Sequence, residues 1–285
     1  MVDETIGGRY NEGRTIQIPV RVRDKNTKEG YETDMLKIGI VGCTGKLGSA
    51  IMKTALESEE VELSYAIARK GNAFVGKKIT ELIGGKSELT IIDDIELADG
   101  CDLYIDCTNA ETFKNSSYAK YEKMQKPLII ATTAFTKDDM EQIKLLAANI
   151  PVFMSGNFSV ALHDFIETLK FYAKKISIDT DVQIVEYHHN QKKDAPSGTA
   201  LMIKEALLSA NAAIEREKIT ICSIRGGNIF GEHEVIFANA KDEVVTLKHQ
   251  VSSRAPFADG AVEVSKWIVC QRNGLYSMDD FCDMQ

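Results

Sequence analysis

The run Met35-Leu36-Lys37-Ile38-Gly39-Ile40-Val41 is short and apolar, and it feeds directly into Gly42-Cys43-Thr44-Gly45-Lys46-Leu47-Gly48. A helical pattern follows, with Leu47, Ile51, Met52, Ala55 and Leu56 on one face. The order buried strand, glycine loop, helix admits few folds, because it is the opening of a parallel α/β sheet. The glycines let the backbone approach a ligand closely, and the amides that open the helix favour an anion. The loop thus reads as a seat for a dinucleotide pyrophosphate, with Gly42, Cys43, Thr44, Gly45, Lys46 and Leu47 around it. Its spacing, Gly-x-x-Gly-x-x-Gly, is a variant of the commoner Gly-x-Gly-x-x-Gly; a bare match of this kind is equally often a tight turn.

The following segments keep the alternation. A second strand is predicted over 61–68, and further buried strands over 102–108 and 127–133, with helical patterns near 112–124 and 137–148. This is a Rossmann-like doubly wound parallel sheet, whose ligands lie at the carboxyl ends of the strands. Thr108, Ala131, Thr132 and Thr133 fall at such ends. At the end of the second strand, where an acid usually holds the ribose hydroxyls, the chain carries Ala68-Arg69-Lys70. No carboxylate there repels a 2′-phosphate, and two cations attract one. The alternative is that Arg69 and Lys70 form a solvated loop.

Chemistry is densest at Glu186-Tyr187-His188-His189-Asn190-Gln191-Lys192-Lys193-Asp194-Ala195-Pro196-Ser197-Gly198-Thr199-Ala200. Residues 181–187 alternate Val182 and Ile184 against polar neighbours, as a half-buried strand does. A polar loop follows, and Pro196 is predicted to sit early in a helix running through Leu201, Met202, Ile203 and Leu207. Ser197, Gly198 and Thr199 leave that helix's first amides uncovered, which suits a carboxylate. Lys192 adds a full positive charge, and His188 and His189 exchange protons near neutral pH. Two other readings compete: ordinary loop histidines, or metal ligation by Glu186, His188 and His189. Ligation is disfavoured because adjacent residues of an extended segment point to opposite faces, so no metal is expected.

The chain has 285 residues, 44% of them hydrophobic, enough for a sizeable core. Its net charge of −8 argues against a general nucleic-acid or membrane-surface binder, while leaving room for a local cationic pocket. No apolar stretch approaches a membrane span, and the start has no signal-peptide core. Cys43, Cys101, Cys107, Cys222, Cys270 and Cys282 are scattered without metal-ligand spacing, which fits a reducing cytoplasm.

The 186–200 run closely resembles the signature of the dihydrodipicolinate reductase family, Glu-x-His-His-x-x-Lys-x-Asp-Ala-Pro-Ser-Gly-Thr-Ala, and meets every fixed position. The family carries the glycine loop in the same place, and Ser155-Gly156-Asn157-Phe158-Ser159, Gly231-Glu232-His233 and Ser252-Ser253-Arg254 match its patterns too. The chain departs from it at Ala68, where an acid is common, and at Ala131 and Ala134, which stand in a Gly-Thr-Thr-Gly element and are expected to narrow the nicotinamide site. His163 also replaces a common asparagine. The resemblance covers roughly 36–285 and leaves 1–34 as an extension of unknown role, in which residues 15–22 alternate like an edge strand.

The resemblance implies a dinucleotide-binding domain of residues 35–156 and 254–285, with Ser155, Gly156, Asn157 and Phe158 also near the cofactor. Residues 157–253 would form an α+β substrate-binding and oligomerisation domain. There, stretches at 218–224, 233–240 and 243–250 suggest a mostly antiparallel sheet, before a last helix over about 256–272. It implies reduction of 4-hydroxy-tetrahydrodipicolinate, through its dehydrated form, to tetrahydrodipicolinate in diaminopimelate and lysine biosynthesis, by a cytoplasmic homotetramer. Catalysis falls to His188 and Lys192. The small dicarboxylate substrate falls to His189, Ser197, Gly198, Thr199 and Arg254, with Asp194 orienting Lys192 or capping the loop rather than performing chemistry. NADPH is expected to be modestly preferred, with NADH still used. The rival readings are a nucleotide sensor without turnover, which would need neither His188 nor Lys192, and another two-domain dehydrogenase, which would have no use for the His-His-x-x-Lys run.

Overall fold

The computed structural model describes residues 35–283; residues 15–22, where an edge strand is expected, lie outside the described residues. The first half of the described chain alternates strand and helix: β1 (Leu36–Val41), α1 (Lys46–Glu57), β2 (Val61–Ile67), α2 (Thr80–Ile83), β3 (Ile91–Ile92) and β4 (Leu103–Asp106). Then come α3 (Ala110–Thr112), which continues through a π turn at Phe113–Ser117 into α4 (Tyr118–Met124), and β5 (Leu128–Ile130), α5 (Lys137–Ala147) and β6 (Pro151–Met154). Helix α6 (Val160–Ala173) leads into β7 (Asp181–His188), α7 (Gly198–Ala210), β8 (Ile219–Arg225), β9 (Gly231–Ala238) and β10 (Val244–Val251). The chain closes with α8 (Ala255–Ile268), β11 (Gly274–Tyr276) and α9 (Met278–Cys282).

The first sheet has the order β11-β6-β5-β4-β1-β2-β3 and is parallel at every pairing. Its strands are near-continuous apolar runs because both faces are covered. One layer centres on α1 and α8, with Ile51, Met52 and Ala55 of α1 and Ala258, Ala261 and Val264 of α8 joining Ile38, Ile40 and Phe153 of the strands. The other packs Ile143 and Leu146 of α5 and Tyr121 of α4 against Val41, Tyr104 and Ile130. Strand order reverses between β1 and β4, where Val41 lies beside Asp106, so the crevice opens at the ends of those two strands.

The second sheet has the order β10-β9-β7-β8. Its β9–β10 and β7–β9 pairs are antiparallel and its β7–β8 pair is parallel. One face is covered by α6 and α7: Leu162, Ile166 and Leu169, with Ala200, Ile203 and Leu207, pack on Val182, Ile184, Val235 and Phe237. The period-two alternation of β7 then places Glu186 and His188 in the same buried row as Val182 and Ile184. The opposite face carries Val244 and Ile224, both exposed.

Several expected boundaries shift. The last helix ends at Ile268 rather than near 272, and the chain goes on to β11, which pairs with β6, and to α9. Strand β9 begins at Gly231 and ends at Ala238, two residues earlier than expected at each end. Pro196 lies outside helix α7, not in its first turn: Ser197 takes the N-cap, its hydroxyl accepting from the Ala200 amide at 3.1 Å, so the helix opens at Gly198.

Helix α8 passes so close to the β6–α6 connection that a Cβ on Gly260 would stand 1.8 Å from the Phe158 carbonyl oxygen. Alanine in place of glycine gains up to about 1 kcal/mol of helix propensity, but a clash with backbone cannot be relieved by turning a side chain. Gly260→Ala is therefore expected to destabilise the protein by roughly 2–3 kcal/mol, the upper range of overpacking. Urea unfolding checks this; a midpoint equal to that of the unsubstituted protein would show that the contact is not made.

Candidate active site

Two cavities gather the catalytic pair and part of the substrate and cofactor sets singled out in the sequence. The first, of about 220 Å³, lies where β7, β9 and β10 meet the opening of α7, and His188, His189, Lys192, Thr199 and Arg254 all line it. Ser197 is buried beside it, and the space next to Gly198 is open. The first amides of the 13-residue α7 thus stand at a cavity that carries Lys192 and Arg254 as cations. Lys192 pairs with Asp194 at 2.8 Å, as expected, and this contact holds the Asp194 carboxyl below its ordinary range against the effect of burial.

Beneath the cavity, Glu186 is wholly buried. Arg225 grips it through both oxygens, Nη1 at 2.9 Å and Nη2 at 2.7 Å, the Ser197 amide donates to it at 3.2 Å, and Nδ1 of His188 contacts Oε2. Burial favours the neutral acid, but the Arg225, Ser223 and His188 hydrogen bonds outweigh it and hold Glu186 down at about 2. Burial pulls His188 below the ordinary imidazole value; Glu186 opposes this, while Lys192 and Arg225 add to it.

His233 and His249 face each other across the β9–β10 pairing and also line the cavity, as does Phe230, which stacks under the Arg254 guanidinium at 5.5 Å. Sequence reasoning gave none of these three a role. Gly231-Glu232-His233 stood out as a pattern, but only strand register brings His233 to Ser197, its Nε2 3.2 Å from the hydroxyl. Burial, then the charge of His188, drives His233 down to about 3, so it is a neutral imidazole at working pH. Nδ1 of His189, His233 and His249 is buried without a partner among the described residues, which leaves three ring nitrogens for a ligand or water to satisfy.

The second cavity, of about 340 Å³, opens at the reversal point of the first sheet and is lined by Gly42, Arg69, Lys70 and Thr108 among others. Gly42 has φ +81°, and a Cβ there would lie 2.9 Å from the Cys107 carbonyl, so the glycine loop makes a cradle that a side chain would fill. Gly45 caps the 12-residue α1 without a side chain, leaving the Lys46 and Leu47 end of the helix uncovered for a pyrophosphate. Cys43 and Phe158 turn their side chains into the core, so any contact they make is through backbone. Thr108 and Thr132 are both tied to the buried Asp106 carboxylate, at 2.5 and 3.3 Å. Ala131 packs against the core, and Ala134 is exposed with φ +66°, the left-handed region, which costs a non-glycine residue about 1 kcal/mol. Thr133 lies against Gly156 and Ser155 turns back on Asn157, whereas Asn157 lines the first cavity, its Oδ1 accepting from the Ser159 amide at 2.9 Å. His163 is buried on α6 beside Asp279 of α9, at 3.3 Å. Asp94, Lys120 and Thr112 line the second cavity without having been singled out. Lys120 reaches Asp94 at 2.7 Å, a pairing of distant segments with no local signal.

Among the described residues there is no group of three or more His, Cys, Asp or Glu arranged to hold a metal ion, and no helix long and apolar enough to cross a membrane.

Two family models together match nearly all of the described chain. Residues 36–158 match the model described as dihydrodipicolinate reductase, N-terminus, and residues 159–282 the model described as dihydrodipicolinate reductase, C-terminus. A 4-hydroxy-tetrahydrodipicolinate reductase of Geotalea daltonii is 36% identical over 265 residues, covering 86% of this chain and 98% of that protein. One from Syntrophus aciditrophicus is 37% identical over 265 residues, with the same coverage of 86% and 98%. Among solved structures, a dipicolinate-bound dihydrodipicolinate reductase from Paenisporosarcina sp. TG-14 superposes with a TM-score of 0.68 at 21% identity, covering 85% of this chain and 97% of that one, a likeness of fold.

Proposed function

We propose, from the premise that the chain belongs to the dihydrodipicolinate reductase family, that it reduces 4-hydroxy-tetrahydrodipicolinate, through dihydrodipicolinate, to tetrahydrodipicolinate in diaminopimelate and lysine biosynthesis. The observation that carries this reading is the first cavity, where His188, Lys192, Arg254 and the opening of α7 converge. Residues 35–156 with 254–285 serve the cofactor and 157–253 the substrate, in a cytoplasmic enzyme.

The glycine loop and the second cavity fit a nicotinamide dinucleotide, which when bound supplies the hydride. Hydride arrival at the conjugated imine leaves an electron pair on the substrate, and a proton must meet it. His188 is the donor, and Lys192 neutralises charge beside it and steadies a carboxylate. The α7 amides at Gly198 and Thr199, with Ser197, His189 and Arg254, hold the substrate carboxylates. Each charged hydrogen bond contributes about 1.5–3 kcal/mol. Several together thus supply much of the roughly 8 kcal/mol that micromolar binding requires.

His188→Gln and Lys192→Ala are expected to lower turnover by ~100- to 10,000-fold, the usual loss when general acid catalysis is removed, while leaving cofactor affinity nearly unchanged. The lysine substitution should also raise KM, since an anion loses its partner. Absorbance of the reduced nicotinamide, followed with synthesised substrate, reads this directly. Near-normal rates in both variants would overturn the assignment of His188 and Lys192, and no turnover by the unsubstituted chain would favour a sensor.

Arg69 and Lys70 stand exposed at the second cavity. Asp93 and Asp94 also line it, Asp94 already paired with Lys120 at 2.7 Å. A screened phosphate–cation pair is worth ~1 kcal/mol, about fivefold in affinity. NADPH is thus preferred modestly over NADH. Alanine at both positions should erase the preference and added salt should shrink it; a native kcat/KM ratio favouring NADH would contradict the idea.

The face of the second sheet turned away from α6 and α7 carries exposed Val244 and Ile224, and it is the surface on which four copies associate. Light scattering at micromolar concentration should report a tetramer, and substitution of both residues by lysine should dissociate it. A monomeric mass for the unsubstituted chain would rule this out.

A further inference from the structure

The carboxylate beneath the first cavity has no part in the chemistry just described, yet directly or through Arg225 it is tied to the imidazole, the lysine loop and the opening of α7. Glu186 lies two residues before His188 on β7, so both side chains share the covered face of the sheet. Arg225 is the register partner of His188 on β8, and its fork closes on both Glu186 oxygens. The same guanidinium donates from Nη2 to the Asp194 carbonyl at 2.6 Å, which pins the loop carrying the Lys192–Asp194 pair. Glu186 also accepts from the amide of Ser197, the residue that caps α7. One buried ion pair therefore fixes the imidazole, the lysine loop and the helix opening together.

We infer that Glu186, held in place by Arg225, is the positioning residue of His188: it accepts from Nδ1–H and so makes Nε2 the nitrogen that exchanges the proton. This rests on the reading of His188 as the proton donor. A carboxylate so placed selects the tautomer and aim of an imidazole without itself taking the proton. The bidentate grip of Arg225 keeps Glu186 anionic, so it serves as acceptor throughout. A second observation locates the free nitrogen. A Cβ at Gly231 would lie 3.2 Å from Nε2 and 3.6 Å from Cδ2 of His188, and Gly231 lines the first cavity. The absent side chain leaves room on the Nε2 edge, the edge away from Glu186.

The groups facing His188 set the sign of the test. Glu186, on its own strand, favours the imidazolium. Arg225 from β8 and Lys192 from the loop disfavour it, as does burial. The His233 ring of β9, 5.4 Å away, is neutral, with His249 of β10 beyond it. Replacing Glu186 by glutamine removes the one influence that holds the proton on. The proton-donating form of His188 is then lost at lower pH than in the unsubstituted enzyme.

The experiment compares the unsubstituted enzyme with Glu186→Gln, Glu186→Asp and His188→Gln, measuring kcat against pH at saturating NADPH and substrate, and NADPH affinity by fluorescence. Glu186→Gln should lose about 100-fold in kcat at neutral pH. Its alkaline decline should move to lower pH, with NADPH affinity unchanged. Glu186→Asp, which keeps the charge but shortens the reach, should lose rate while its decline stays near the original pH. A folded Glu186→Gln enzyme with the original rate and pH profile, alongside a crippled His188→Gln, overturns the positioning role alone. A fully active His188→Gln instead overturns the donor reading on which it rests. Should Glu186→Gln fail to fold, nitrogen NMR of the unsubstituted protein decides: neutral His188 should carry its proton on Nδ1, and a proton on Nε2 would overturn the inference.

Discussion

A carboxylate with no exposed surface is tolerable only if its charge is met, and at Glu186 the requirement is met by Arg225, by the Ser197 amide and by His188. These partners come from β8, from the cap of α7 and from β7 itself. The parallel pairing of β7 with β8 is what brings Arg225 level with His188, in a sheet whose other pairings are antiparallel. The covered face of β7 is apolar at Val182 and Ile184 and ionic at Glu186, so one strand both anchors the core and supports the site. Losing one partner of such a pair is far costlier than replacing both, which ties the stability of this end of the sheet to the arrangement of the chemistry.

The cofactor side is organised differently. There the backbone does most of the positioning, through the Gly42 turn against Cys107 and the uncapped start of α1. The buried Asp106 carboxylate gathers Thr108, Thr132 and the Tyr121 hydroxyl, tying together two loops at the strand ends and helix α4. Burial raises Asp106 above the usual carboxylate range, in contrast to Glu186, because hydroxyls and an amide surround it where Glu186 has a guanidinium.

What the sequence revealed was local. Strand, glycine loop and helix occupy consecutive residues at 36–57, and the residues from Glu186 to Thr199 lie within one strand, one loop and one helix opening, so spacing alone exposes their relation. What it hid depends on register. Arg225 meets Glu186 across 39 residues, His233 meets Ser197 across 36, and Lys120 meets Asp94 across 26. No periodicity within β8 or β9 foretells those encounters. The error at Pro196 has a similar origin: proline and serine are both good helix openers, and only the hydroxyl's bond to Ala200 settles which one caps. Strand β11 escaped notice because three residues give too little pattern, and its identity comes from pairing with β6.

That last pairing bears on the order in which the molecule can be completed. A ribosome delivers β1 through β6 first, then the whole of the second sheet, and only afterwards α8 and β11. Helix α8 covers α1, and β11 supplies the outermost strand beside β6, so the half begun first is finished last. Until α8 and β11 emerge, the nascent chain exposes the apolar side of α1 and an unpaired edge at β6, while the substrate-side sheet already has all its strands. The interval between those two moments is when a partly made chain is most exposed to aggregation and most in need of a chaperone.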